Sequence, residues 1–114
     1  MTEGTEMDFA NYQWRTGHTA IYPKDKALEY LSLGLVSEAG EVAGKVKKII
    51  RDHDSVMTNE MNENLQAEIG DVMWYIAQLC TALGTSMGAV ARKNVDKLAK
   101  RQQSNTISGD GDNR

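Results

Sequence analysis

GLVSEAGEVAGKVKKIIRD (residues 34–52) and LQAEIGDVMWYIAQL (residues 65–79) decide the fold. Around the first stretch, Leu28, Leu31, Leu35, Val42 and Ile49 recur in steps of three, four and seven. That period predicts one apolar stripe on a long amphipathic helix over residues 26–51. Around the second, Leu65, Ile69, Val72, Ile76, Leu79 and Leu83 alternate steps of four and three, predicting another long helix over residues 60–83. The polar run RDHDSVMTN (51–59) between them can turn the chain, so the two helices are expected as an antiparallel hairpin.

Outward from this pair the signals weaken. Residues 8–16 suit a short helix with Phe9, Tyr12 and Trp14 as its apolar contacts, which Gly17 is expected to stop. HTAIYPKD (18–25) reads as a loop in which Pro23 keeps Tyr22 out of helical geometry and leads into the next helix. Gly84 allows a break, after which Val90, Val95 and Leu98 mark a helix over residues 87–101. The end, QQSNTISGDGDNR, is too polar and Gly-rich to pack by itself. The expectation is an all-α, four-helix-bundle-like domain over residues 8–103, between a flexible lead (1–7) and a polar tail (104–114).

Composition removes several classes of function. A length of 114 residues fits one domain. One cysteine, Cys80, and one proline exclude a disulfide scaffold and a Cys-based zinc site, and Cys80 at mid-helix reads as core. No run of 18 apolar residues is present, so no membrane partner is expected. An acidic start without a signal pattern suggests a cytoplasmic protein. A net charge of −3 argues against coating nucleic acid. So short a helical chain buries a modest share of its surface, so a deep polar site calls for a second copy and a homo-oligomer is expected.

The chemistry lies where acids interrupt the stripes. Glu38 stands three after Leu35 and four before Val42, and Glu68 stands three after Leu65 and four before Val72, both at seam positions. Each has an acidic neighbour three residues on, Glu41 and Asp71, so each helix carries an acidic pair on one flank of its stripe. In a hairpin the two pairs converge. Four carboxylates at one partly buried spot repel strongly, which is tolerable if cations fill the spot or if the acids point to water. Oxygen donors without His or Cys suit hard divalent ions, Mg²⁺ or Mn²⁺, and an open carboxylate cluster is the form a Mg²⁺–phosphate site takes. Gly40 and Gly70 beside the pairs suggest close backbone approach, at a cost of about 1 kcal/mol each relative to alanine.

Several neighbours have two readings. Lys45 shares the flank of Glu38 and Glu41, as a phosphate contact or a plain Glu–Lys pair. Tyr75 shares the flank of Glu68 and Asp71, as a nucleobase or carboxylate contact or as packing. Trp74 points away from the stripe, as an exposed ring does at an interface. Asn94, Lys97 and Arg101 form a polar stripe on the last helix that suits triphosphate oxygens or a solvated face. Lys47 and Lys48 read as solvent-facing, and His18 and His53 as incidental.

These residues resemble the MazG-like nucleoside triphosphate pyrophosphohydrolases of the all-α NTP pyrophosphatase superfamily. The hallmark E-x-x-E, a spacer, then E-x-x-D falls on Glu38, Glu41, Glu68 and Asp71, and TAIYP (19–23) and ISGDGDNR (107–114) resemble single-domain members from phages and mobile elements. The resemblance implies Mg²⁺-dependent cleavage of a (deoxy)nucleoside triphosphate to monophosphate and pyrophosphate. The four acids would hold metal, and Glu41 or Glu38 would also help deprotonate water. Asn94, Lys97 and Arg101, and less directly Lys45 and Tyr75, would contact the substrate in a dimer or tetramer. A non-catalytic helical assembly module with a surface acidic cluster is the alternative. A di-iron bundle is disfavoured because no His follows a Glu at i+3.

Overall fold

The computed structural model describes residues 6–104 and is helical throughout, with no strand among those residues. Four α-helices run in order: α1 (Phe9–Thr16), α2 (Ala27–Asp52), α3 (Asn59–Ala82) and α4 (Met87–Gln103). Their bounds lie within two residues of those expected. Residues 1–5 and 105–114, which hold most of the expected lead and tail, lie outside the described residues.

Local chemistry explains the boundaries. Asp8, Thr58 and Ser86 cap α1, α3 and α4, each side-chain oxygen accepting from the backbone N–H three residues on. α3 ends where Gly84 adopts φ +71°, and the Thr85 N–H then donates to the Cys80 carbonyl at 2.9 Å. The α2–α3 turn does the same without glycine, with Asp54 at φ +50° and Ser55 at +63°. Gly17 does not act as such a stop: it is right-handed, and the chain tightens into a 3₁₀ turn, Gly17–Thr19. A second 3₁₀ turn, Lys24–Lys26, follows Pro23 and feeds α2.

α2 and α3 form the antiparallel hairpin. The seam residues of α2 are Leu31, Leu35, Glu38, Val42, Lys45 and Ile49, all buried or half-buried. Facing them on α3 are the half-buried Met61, Leu65, Glu68, Val72, Tyr75 and Leu79. Both lists step by three and four, the repeat of a coiled-coil seam. The α3 stripe therefore differs in part from the one expected: Ile69, Ile76 and Leu83 are exposed, while Glu68 lies in the seam as its spacing predicts and Tyr75 joins it there. The cause is α1, which claims another face of α3 through Ala77, Gln78 and Cys80.

α1 is attached mainly by polar bonds. The Tyr12 hydroxyl donates to the Gly70 carbonyl (3.3 Å), and Gln78, 2% exposed, accepts from the Tyr22 hydroxyl (2.7 Å) while its amide donates to Thr16 Oγ1 (2.9 Å). Gln13 donates to the Thr85 carbonyl and accepts from the Met87 N–H, fixing the α3–α4 turn. α4 packs on α1 and the end of α3 with no comparable packing on α2, so one chain does not close a bundle of all four helices. Val90, Val95 and Leu98, expected as its apolar stripe, are exposed.

Gly34 is where the hairpin needs a glycine. A Cβ there would overlap the ring of Tyr75. Gly40 and Gly70 were expected at close approaches, yet a Cβ at either meets nothing within 4 Å. Gly40 instead lies on an outer stripe of α2 with Leu33, Val36, Ala43 and Ile50, where Leu33 is 72% and Val36 71% exposed. Gly34→Ala is expected to lower stability by about 1–2 kcal/mol despite the helix-propensity gain, because the ring must leave its place. Gly40→Ala is expected to raise the stability of a single chain by about 0.5–1 kcal/mol. Urea unfolding of both variants measures the difference.

Candidate functional site

The acids meet in the middle of the seam. Glu38, Glu68 and Asp71 each place a carboxylate oxygen within 4.8 Å of the others'. Glu38 and Glu68 are half-buried because they occupy seam positions, whereas Asp71, one step off the seam, is exposed. Glu41 is exposed, lies outside this group of three and acts on Glu38 through space. The two sequence pairs thus contribute unequally, both members from α3 and one from α2.

Electrostatics register the crowding. Partial desolvation, then the charges of Asp71, Glu68 and Glu41, push the Glu38 carboxyl above its ordinary range. One cation answers within the seam: Lys45 Nζ stands 3.8 Å from Glu68 Oε1, with both side chains partly shielded. Lys45 therefore pairs across the hairpin, rather than along its own helix with Glu41. The donor set consists of carboxylate oxygens with no His or Cys, which fits a hard divalent cation.

One turn towards the open end of the hairpin the seam turns aromatic. Tyr75 lies on Gly34 beside Tyr30 and meets Trp74 edge-on at 5.0 Å. Desolvation, Tyr30 and the Glu38 and Asp71 carboxylates raise its phenol above the usual range. Tyr22 stacks on Tyr30 with ring centroids 5.4 Å apart and carries Lys24 over its other side, 3.6 Å from the ring centroid. Trp74 is not the bare ring expected at an interface. It is half-buried, and its indole N–H donates to Thr19 Oγ1 at 2.7 Å. The loop 18–25 folds back over α3 and covers it.

The polar stripe of α4 is elsewhere. Asn94 and Lys97 line a shallow groove with Val90 and Lys93, and Arg101 is 5% exposed. The three-carboxylate group is drawn from α2 and α3 alone, whereas α4 packs on α1 and α3 with no comparable packing on α2. Sequence reasoning gave Tyr12 only a packing role and Tyr22 only a place in the loop, and passed over Tyr30 and Gly34. Tyr12 reaches Gly70 and feels Asp71 from 58 residues away, with no local pattern to mark it. Gly34 carried a usable signal, a glycine facing a large aromatic in the antiparallel register.

A family model for the MazG nucleotide pyrophosphohydrolase domain matches residues 26–105. Among curated proteins, the Gene 37 protein of Mycobacterium phage L5 is 49% identical over 109 residues, covering 90% of this chain and 96% of that protein. No solved structure matches the chain. No helix among the described residues is long and apolar enough to cross a membrane.

The raised Glu38 carboxyl has a signed consequence. A carboxyl that holds its proton more tightly when folded favours folding at low pH. Its ionisation penalty is absent below the unfolded-state pKa and complete above the raised folded value. Glu38→Gln removes that penalty. In chelator-treated protein its Tm is expected to exceed the wild-type Tm at pH 8 and to converge with it near pH 4, as read by thermal melts followed by circular dichroism.

Proposed function

Because the chain belongs to the MazG nucleotide pyrophosphohydrolase family, we propose that it hydrolyses a (deoxy)nucleoside triphosphate between the α- and β-phosphates with a divalent cation, Mg²⁺ or Mn²⁺. The observation carrying this reading is the three-carboxylate group in the hairpin seam. Glu38, Glu68 and Asp71 would hold the cation. When bound, it supplies charge neutralisation and Lewis acidity at the phosphoryl oxygens.

The protein's own groups do the rest. Water attacks the α-phosphorus while the bond to the α–β bridging oxygen breaks, leaving a nucleoside monophosphate and pyrophosphate. Glu41, exposed beside the three-acid group, accepts the proton of the attacking water, and Glu38 is the alternative acceptor. Lys45 offsets negative charge where the substrate's phosphates arrive. Tyr75, fixed by Gly34 and Tyr30, forms the aromatic wall on the base side.

The working unit is a homo-oligomer, dimer or tetramer. Support comes from the outer α2 stripe, from Ile69, Ile76 and Leu83 on α3 and from Val90, Val95 and Leu98 on α4, all left open by a single chain. Asn94, Lys97 and Arg101 then serve a site formed with a neighbouring copy. A role in nucleotide-pool control or house-cleaning fits this activity.

A panel of NTPs and dNTPs, with released pyrophosphate converted to phosphate and measured colourimetrically, tests the reading. Mg²⁺-dependent release is expected from at least one substrate. Glu68→Gln and Asp71→Asn are expected to lose 10²-fold or more in turnover, about 3 kcal/mol at the barrier, and Glu41→Gln about 10²–10⁴-fold, with helicity intact. Absence of Mg²⁺-dependent release across the panel returns the chain to a non-catalytic assembly module.

A further inference from the structure

The face of the hairpin that carries the acids changes character towards the α2–α3 turn. Lys45 stands seven residues after Glu38, and Lys48 seven after Glu41, so each repeats an acid's angular position two turns on, about 10 Å along the axis. On α3, Asn64 stands seven before Asp71 and four before Glu68, on the same side. Where these residues meet there is a cleft of about 140 Å³, lined by Lys45, Lys48, Ile49, His53, Met61 and Asn64. Buried Ile49 and half-buried Met61 form its apolar lining, and the other four carry donors.

Those donors are largely uncommitted. Among the described residues the side chains of Lys48, His53 and Asn64 form no ion pair or hydrogen bond. Asp52 feels Lys48 and His53 but is held by Arg51 through two bonds of 2.9 Å. Lys45 joins cleft to cluster, since its ammonium group stands by Glu68 while its side chain lines the cleft. Along one face the hairpin thus runs from aromatic rings through carboxylates to cationic and amide donors.

We propose that this cleft receives the terminal phosphate of the substrate. The nucleotide then lies along the hairpin with its polyphosphate pointing to the α2–α3 turn and its base end towards Tyr30 and Tyr75. This assignment rests on the pyrophosphohydrolase reading and adds Lys48, His53 and Asn64 to the residues that select a triphosphate. The Lys48 ammonium, the His53 imidazole and the Asn64 amide line an opening together with the stem of Lys45, and no carboxylate among the described residues lines it. A cation among Glu38, Glu68 and Asp71 weakens the hold of Glu68 on Lys45, which can then turn to a phosphate oxygen.

The test uses the intact protein with inorganic tripolyphosphate as the probe. Lys48→Ala and Asn64→Ala are compared with Lys97→Ala on α4 and with Lys26→Ala, a charge control outside every site described. Lys48→Ala is expected to raise KM for the triphosphate, and Ki for tripolyphosphate, about tenfold, and Asn64→Ala about threefold. Inhibition by the nucleoside monophosphate product is expected to be unchanged, and Lys26→Ala to match wild type. Unchanged tripolyphosphate inhibition in both cleft variants, with weakening confined to Lys97→Ala, overturns the assignment. If no nucleotide is hydrolysed, the pyrophosphohydrolase reading fails separately, and calorimetric titration with tripolyphosphate still decides the cleft. Binding lost in Lys48→Ala upholds an oxyanion site, whereas binding absent from wild type or equal in the two proteins removes it. Both cleft positions are exposed, so the variants are expected to fold, which circular dichroism checks.

Discussion

Carboxylates in a helix–helix seam are the constraint on which the rest of this structure depends. A seam repeating every three and four residues selects apolar side chains because it excludes water. Here two of its positions are Glu38 and Glu68, and Asp71 crowds them from one step aside. The carboxylates of this group repel one another and are partly desolvated, so folding the hairpin works against its own electrostatics. A lone lysine 3.8 Å from one of them offsets part of the repulsion. A hard divalent cation held there would offset far more, and its binding and formation of the seam would favour each other.

That constraint shapes the surroundings. Seam positions given to acids are lost to apolar packing, and the described residues bury few apolar side chains fully: Leu31, Ile49, Ala77, Cys80 and Met87. Much of what would close a core in a larger domain lies on outer stripes instead, and α4 packs on α1 and α3 rather than across both helices of the hairpin. Polar bonds through Gln13, Gln78 and Tyr22 secure the open end, where they also seat the loop that covers Trp74. The aromatic group is thereby held one turn from the acids without needing a deep core beneath it.

How much of this was legible in the sequence follows from the range of each signal. Helix positions, the Gly84 break and the acidic pairs are local patterns, and each appears within two residues of its expected place. The partner of each helix face is not local. The period of α3 permitted a stripe through Ile69 and Ile76 beside the seam spacing of Glu68, and the packing of α1 on α3, which no spacing could place, left those isoleucines exposed with Glu68 and Tyr75 in the seam. Gly40 and Gly34 make the same point. Both are glycines in one helix, yet only Gly34 faces a ring. For Lys45, Glu68 is a partner from the other helix, and only the antiparallel register reveals it.

The order of charges along the hairpin has one more consequence. A polyphosphate entering a cation-free site would meet Glu38, Glu68 and Asp71 as a block of like charge, while Lys45 is engaged with Glu68. A divalent cation held there first would offset most of that charge and loosen the hold of Glu68 on Lys45, so that the polyphosphate would meet less repulsion in the middle of the face and a lysine able to turn to it. Cation and nucleotide would then strengthen each other's binding by the same factor, since linkage is reciprocal. The three acids and the lysine that bridges to Glu68 are the groups through which such coupling would run.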